Sequence, residues 1–234
     1  MRICKNCKVQ VLDDEAKFCT ECGANLISGR RESSSVSLSQ ANESKEVSSV
    51  RLCRGQRADI KTPALIVELG WNKSNYHGSF DFELDSAAFL LKNDGKVTQE
   101  DDFIFYNNPV HHSKSAKHLG NKSIGMSNIE RIQLDLNKIP NFVEKISFTI
   151  TIHEAGERLQ SFNQVSDTFI RLIDNKDGNE ILRYELEKDF SLETAIVAAE
   201  IYRHKNKWKF KAVGAGFSGG LAALCLNFGI DAIN

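Results

Sequence analysis

The sequence predicts a mainly β protein: an antiparallel β-sandwich with a short C-terminal helix, preceded by a small zinc ribbon and a flexible linker. Three observations carry this. Segments between residues 130 and 212 alternate apolar and polar residues with the period of a strand. Turn signals punctuate them at NDG 93–95, NNP 107–109 and NKDGN 175–179. Two C-x2-C pairs stand within the first 22 residues, ahead of a Ser-rich stretch.

The N-terminal pairs are CKNC at 4–7 and CTEC at 19–22, with eleven residues between them. Each pair forms a knuckle that presents two thiolates to one metal. Together Cys4, Cys7, Cys19 and Cys22 satisfy tetrahedral Zn²⁺ and leave no open position, which makes the expected site structural. A module of residues 1–27 is too small to fold by burial alone, so the metal would supply the folding energy. The alternatives at these residues are a disulfide pair or a redox CxxC. Residues 1–27 carry four basic and four acidic side chains, without the basic surplus that phosphate contacts need. A ribbon that docks a protein partner is therefore expected ahead of one that binds nucleic acid.

Residues 28–49, SGRRESSSVSLSQANESKEVSS, are poor in large apolar groups and read as a linker. A coil of this length has an end-to-end distance of roughly 25 Å. From residue 50 to 234 the composition is globular. ERIQLDL places Ile132, Leu134 and Leu136 on one strand face, and KISFTITI does the same with Ile146, Phe148, Ile150 and Ile152. EILRYEL alternates Leu182, Tyr184 and Leu186, and KWKFKA alternates Trp208, Phe210 and Ala212. TAIVAAEIYR at 194–203 fits strand or helix. GLAALCLNFG reads as a helix. The uncharged run 212–230 holds five glycines, a Ser and an Asn, so a glycine turn and a short core helix fit it better than a membrane span.

Composition sets further bounds. The 234 residues are 41% hydrophobic and 26% charged, with net charge -1, which gives no global reason to expect a nucleic-acid or anionic-membrane partner. The opening MRICKNCKVQVLDDE has no apolar h-region of a signal peptide, and a cytoplasmic protein is expected. Cys53 and Cys225 sit singly in apolar settings and are expected as buried thiols.

The stretch GSFDFELDSAAFLL places Asp81, Glu83 and Asp85 at every second position, on one face of an extended chain. Neighbouring carboxylates there lie about 6–7 Å apart. Their repulsion is roughly 2.5 kcal/mol per pair at an effective dielectric of ~20 and well under 1 in open water. Such a face is either solvated or holds a cation, and hard oxygen ligands suit calcium or magnesium. Residues 214–219, GAGFSG, match G-x-G-x-x-G, but the chain ends fifteen residues later, and a close glycine turn is expected instead of a dinucleotide site. The histidines of HHSKSAKH, His111, His112 and His118, are expected in a Lys-rich surface loop. The acids of TQEDDF, Glu100, Asp101 and Asp102, are expected in a solvated turn. No G-x-S-x-G, H-E-x-x-H or Walker loop is present.

Taken together, VRLCRGQRADI, GWNKSNYHGSFDFELDSAAFLL, DDFIFYNNP, SFNQVSDTFIRLID and ETAIVAAEIYRHKNKWKFKAVGAGFSGGLAALCLNFGI resemble the TerD family of tellurite-resistance and stress-response proteins over residues 50–234. The N-terminal pairs are separately similar to a double-knuckle zinc ribbon. The resemblance implies a β-sandwich that binds calcium through clustered acids, in bacterial cytoplasm, without enzymatic activity. The family's D-x-D-x-D is matched by Asp81 and Asp85, with Glu83 in the middle. A second family loop resembles H-x-G-D-N followed by an acidic run ending D-D-E. Here His118 and Gly120 match, Asn121 stands for the Asp, Lys122 follows, and Asn128-Ile129-Glu130 replaces the final acids.

The loss of about three carboxylates predicts weak calcium binding at most. Its possible ligands are Asp81, Glu83, Asp85, Asn121 and Glu130, with Lys122 expected to neutralise the acidic face. The expected function is a binding or scaffolding protein of a stress system, with a zinc ribbon for partner docking. A working calcium site and an enzyme at the acidic cleft are the alternatives.

Overall fold

In a computed structural model, residues 2–3, 10–11, 49–72, 82–124, 127–186 and 189–231 are described. The chain divides into two units, Met1–Glu46 and Val47–Asn234. The first contributes β1 (Arg2–Ile3) and β2 (Gln10–Val11), antiparallel with Arg2 opposite Val11. Cys4 and Cys7 fall between these strands in sequence; all four ribbon cysteines lie outside the described residues.

The second unit holds β3 (Val50–Leu52), β4 (Arg57–Asp59), β5 (Ala64–Asn72), β6 (Leu84–Leu91), β7 (Phe103–Ile104), β8 (Ala116–Ile124) and β9 (Ser127–Asp135). It continues with β10 (Lys145–Ile152), β11 (Ser166–Asp174), β12 (Glu180–Glu185), β13 (Ala195–His204), β14 (Lys207–Phe217) and helix α1 (Gly220–Phe228). One six-stranded sheet runs β4, β14, β13, β10, β6, β7, and the other runs β3, β12, β11, β5, β9, β8. Neighbours are antiparallel with one departure from the expected pattern: β3 pairs parallel with β12, Arg51 opposite Arg183. A parallel pair needs a long connection, and nearly the whole unit intervenes between these two.

The apolar faces read from the sequence meet between the sheets. Ile132, Leu134, Ile170, Leu172 and Tyr184 from one sheet pack with Ile146, Phe148, Ile150, Ile196 and Phe210 from the other. A second apolar layer lies outside the first sheet. There Ala87, Phe89, Leu91, Ala195 and Val197 are covered by Leu224, Cys225 and Phe228 of α1. The Phe89 and Phe228 rings lie 4.5 Å apart, and Phe89 stacks on Phe103 at 4.4 Å. Two-sided burial explains both the run AAFLL and the ambiguity of TAIVAA. Strands β6 and β13 have core on one face and helix on the other, so alternation disappears.

The uncharged C-terminal run is the end of β14, a turn and a helix of nine residues. Gly219 and Gly229 bracket α1 in the left-handed region, at φ 99° and 84°. Gly214 packs against the Tyr184 hydroxyl and Gly216 against Glu193, so a Cβ at either would collide. β14 is antiparallel to both its neighbours, unlike the parallel strand of a dinucleotide fold. Among the described residues no helix is long and apolar enough to cross a membrane. Cys53 is half-buried and Cys225 buried, each as a thiol.

Candidate functional site

The acidic stretch enters the sandwich at the start of β6. Leu84 packs in the main core with Phe82 beside it, while Glu83 and Asp85 point to the opposite face. Asp81 lies outside the described residues. Glu83 is exposed and its cation is Arg158, at 3.4 Å; Arg158 also meets Glu154 at 2.8 Å. This corrects the expectation for Lys122, which is exposed on β8 opposite Ile129. Lys122 belongs to the other sheet from the β6 acids, whereas the 153–159 loop is tied to them by the His153 N–H donating to the Glu83 carbonyl at 2.8 Å. Asp85 is half-buried. Burial first, and Glu130 second, push its carboxyl above the usual carboxylate range, against weaker opposing pulls from His153 and His118. It opens into a groove of about 490 Å³ that Tyr106, Thr151, His153 and the start of α1 also line.

Glu130 occupies a different face. It lies on β9 in register with Leu69 and Asn121, on the same side as Ile132 and Leu134, and is 7% exposed. Its Oε2 accepts the Ser86 N–H at 2.6 Å and lies 3.4 Å from His118 Nε2, which is itself 3.3 Å from Ser86 Oγ. The reason lies at the sheet edge. β7 pairs only with Ala88 and Phe89 of β6, so the β6 amide beyond it meets a carboxylate from the facing sheet instead of a strand. The Gly120 N–H donates to His118 Nδ1 at 3.2 Å, which leaves the ring proton on Nε2, facing Glu130. His118 and Ser86 are 5% and 1% exposed, so this Ser–His–Glu trio faces protein and ties the edge of one sheet to the other.

Calcium takes six to eight oxygen ligands. Among the described residues no group of three His, Cys, Asp or Glu is placed to hold a metal. Asn121 is exposed on β8, Glu83 is held by Arg158, and Glu130 has one oxygen bound from within.

A second buried pair departs from the surface loop and solvated turn expected of the sequence. His111 and Asp102 are both fully buried, with His111 Nε2 at 3.1 Å from Asp102 Oδ1. Asp102 Oδ2 also accepts the N–H of Thr98 at 2.8 Å and of Gln99 at 3.2 Å. Burial pushes the Asp102 carboxyl up, but the bonds from His111 and the two amides outweigh it and hold the group below the usual range. The Ser113 N–H donates to His111 Nδ1 at 3.2 Å, as the Gly120 N–H does at His118, and Ser113 Oγ lies 2.7 Å from the same nitrogen. Glu100, Asp101 and His112 stay exposed, as expected. No sequence signal marks Asp102 within its run of acids.

Comparison with known proteins gives a consistent picture. A family model described as the TerD domain matches residues 49–228. General stress protein 16U of Bacillus subtilis (strain 168) is 43% identical over 189 residues, covering 78% of this chain and 98% of the relative. Tellurium resistance protein TerD of Serratia marcescens is 43% identical over 191 residues, covering 79% and 99%. Uncharacterized protein YceE of Bacillus subtilis (strain 168) reaches 47% over 189 residues, covering 78% of this chain and 98% of its own. A crystal structure of a telluride resistance protein (TerD) homologue from Streptomyces coelicolor A3(2) superposes with TM-score 0.55 at 16% identity, covering 70% of this chain and 95% of that one, which supports the fold. With its two sheets, its outer helix and a family match across nearly the whole of the second unit, the chain belongs to the TerD domain family.

Proposed function

We propose that this chain is a non-enzymatic binding or scaffolding component of a bacterial stress and tellurium-resistance system, acting in the cytoplasm. In this reading the sandwich carries a degenerate calcium site. Cys4, Cys7, Cys19 and Cys22 hold a structural zinc, and the ribbon they form docks a protein partner. The observation that supports it best is Glu130, whose Oε2 is engaged by the Ser86 N–H at 2.6 Å inside the sandwich. A carboxylate spent on closing a sheet edge is withdrawn from a divalent ion. The relatives named for stress and tellurium resistance support the setting. One observation favours the rival reading, a working calcium site. Burial and Glu130 hold the Asp85 carboxyl above its usual range, and a bound cation would relieve that.

Two measurements test the proposal on the purified full chain. Metal content should show about one zinc per chain, lost when Cys4 and Cys7 become Ser. Calcorimetric titration with calcium should give no affinity tighter than about 1 µM; a tighter site would favour the rival. Pull-downs with the intact chain, and with one lacking residues 1–27, address recruitment. Identical partners in both would remove the docking role from the ribbon.

A further inference from the structure

The outer face of the first sheet carries a groove of about 630 Å³, well away from the acidic edge. It reaches Lys92, seven residues along from Asp85, roughly 20 Å on an extended chain. Cross-strand register sets its charges. One row reads Arg57 on β4, Lys211 on β14 and Glu200 on β13. The next reads Asp59, Lys209, Tyr202 and Lys145.

Most of these charges are matched. Lys145 lies 2.9 Å from Glu200, Lys209 3.1 Å from Asp59, and Lys92 3.0 Å from Asp94. Arg203 donates to the Val143 and Ile139 carbonyls at 2.8 and 3.1 Å and lies 4.3 Å from the Trp208 ring. Arg57 and Lys211 differ. They are direct cross-strand partners of like charge; Lys211 also stands opposite Glu200, which Lys145 engages at 2.9 Å, and among the described residues neither Arg57 nor Lys211 is within ion-pair distance of a carboxylate. Like charges directly opposite one another destabilise a ladder, and a bound anion removes that penalty. In a chain of net charge -1, the groove gathers Arg57, Lys92, Lys145, Arg203, Lys209 and Lys211 against Glu144 and Glu200.

We propose that this groove binds a polyphosphate chain, either free or carried by a nucleoside triphosphate, with its oxygens between Arg57 and Lys211. The Arg57 fork suits bidentate phosphate binding, and Lys211 supplies a point charge one strand away. Tyr202, half-buried among the lining residues, offers a ring on which a base can stack. The volume falls in the range of small-molecule sites. This inference is independent of the metal reading.

The test is calorimetric titration of the full chain at low ionic strength with ATP, inorganic tripolyphosphate and adenosine. ATP and tripolyphosphate should both bind with Kd below about 1 mM, and adenosine should not. Arg57→Gln and Lys211→Ala should each weaken binding about tenfold, while Lys207→Ala, outside the groove on the same strand, should not. A preference for ATP that Tyr202→Ala abolishes assigns the nucleoside form, and equal affinities assign the free chain. Arg57→Gln and Lys211→Ala should keep or slightly raise the parent's thermal midpoint, because each removes one of two opposed like charges from the solvent face. Absence of binding overturns the proposal. So does an equal loss in Lys207→Ala, which would mark diffuse attraction, or binding confined to a single-stranded oligonucleotide or an acidic peptide.

Discussion

Replacing Glu130 by Ala separates a carboxylate that closes the sandwich from one that binds a metal. The Ser86 N–H donates to Glu130 Oε2 at 2.6 Å, with Ser86 1% and Glu130 7% exposed. Removing a charged acceptor from a buried amide costs about 1.5–3 kcal/mol. The weaker approach of His118 Nε2, at 3.4 Å, adds about 0.5–1. Glu130→Ala should therefore lose about 2–4 kcal/mol, and Glu130→Gln, which keeps an acceptor, about half of that. The assay is urea unfolding of the full chain followed by tryptophan fluorescence. Both tryptophans, Trp71 and Trp208, belong to the sandwich, so the signal reports that unit. The midpoint should fall with the slope unchanged. The loss should also be the same in chelator and in excess calcium, because a ligand that binds only the folded state would add calcium-dependent stability. A loss below about 1 kcal/mol, or a calcium-dependent stabilisation that the parent shows and Glu130→Ala lacks, refutes the reasoning.

Three further outcomes follow from the same structure. Asp102→Ala should cost about 3–5 kcal/mol at neutral pH, because it strands the fully buried His111 and removes the acceptor of the Thr98 and Gln99 amides. Because the Asp102 pKa is lowered on folding, its contribution is complete above about pH 3.9 and fades as pH falls through the folded value; a gap between variant and parent that widens in acid contradicts this. Asp85 has the opposite sign: a raised folded pKa favours the neutral form, so Asp85→Asn in chelator should raise the thermal midpoint at pH 7, with the gain gone near pH 3, and a lower midpoint at pH 7 would refute it. Gly70→Ala would drive a Cβ into the Phe169 ring, which also carries the Arg183 guanidinium at 3.7 Å, and urea unfolding should show a loss of about 2–3 kcal/mol rather than the few tenths of a tolerated site.

The strands were legible where the two faces differ in polarity. ERIQLDL writes its period because Ile132 and Leu134 face the core while Gln133 and Asp135 are only half-buried, and KISFTITI keeps a period because the outer face of β10, though buried, carries Ser147, Thr149 and Thr151. TAIVAA loses the period because α1 covers the outer face of β13. The site was legible in its residues and not in their directions. Glu130 continues the series Ile132 and Leu134 at spacing two, a signal that it points inward. The counter-ion of Glu83 could not have been found locally, because Arg158 arrives from a loop after β10. The buried histidines were hidden by exposed neighbours: Lys117 precedes His118, and His112 follows His111. What buries them is a carboxylate brought from another segment.

The two histidine–carboxylate pairs share one construction, and it bears on the metal question. At each, the amide two residues on donates to Nδ1, Ser113 to His111 and Gly120 to His118, and Nε2 faces a buried acid. Each acid also accepts backbone amides, Asp102 from Thr98 and Gln99, and Glu130 from Ser86. Asp102 stands just before β7 and Glu130 meets β6 just beyond the reach of β7, so both serve the flank that this two-residue strand covers poorly. Unpaired amides at a buried edge must find acceptors, and carboxylates backed by imidazoles supply them. Such an acid cannot turn to a cation without returning an amide and a histidine to an unsatisfied state. At Glu130, edge closure and divalent binding are therefore competing uses of one carboxylate, and in this fold its Oε2 accepts the Ser86 N–H at 2.6 Å.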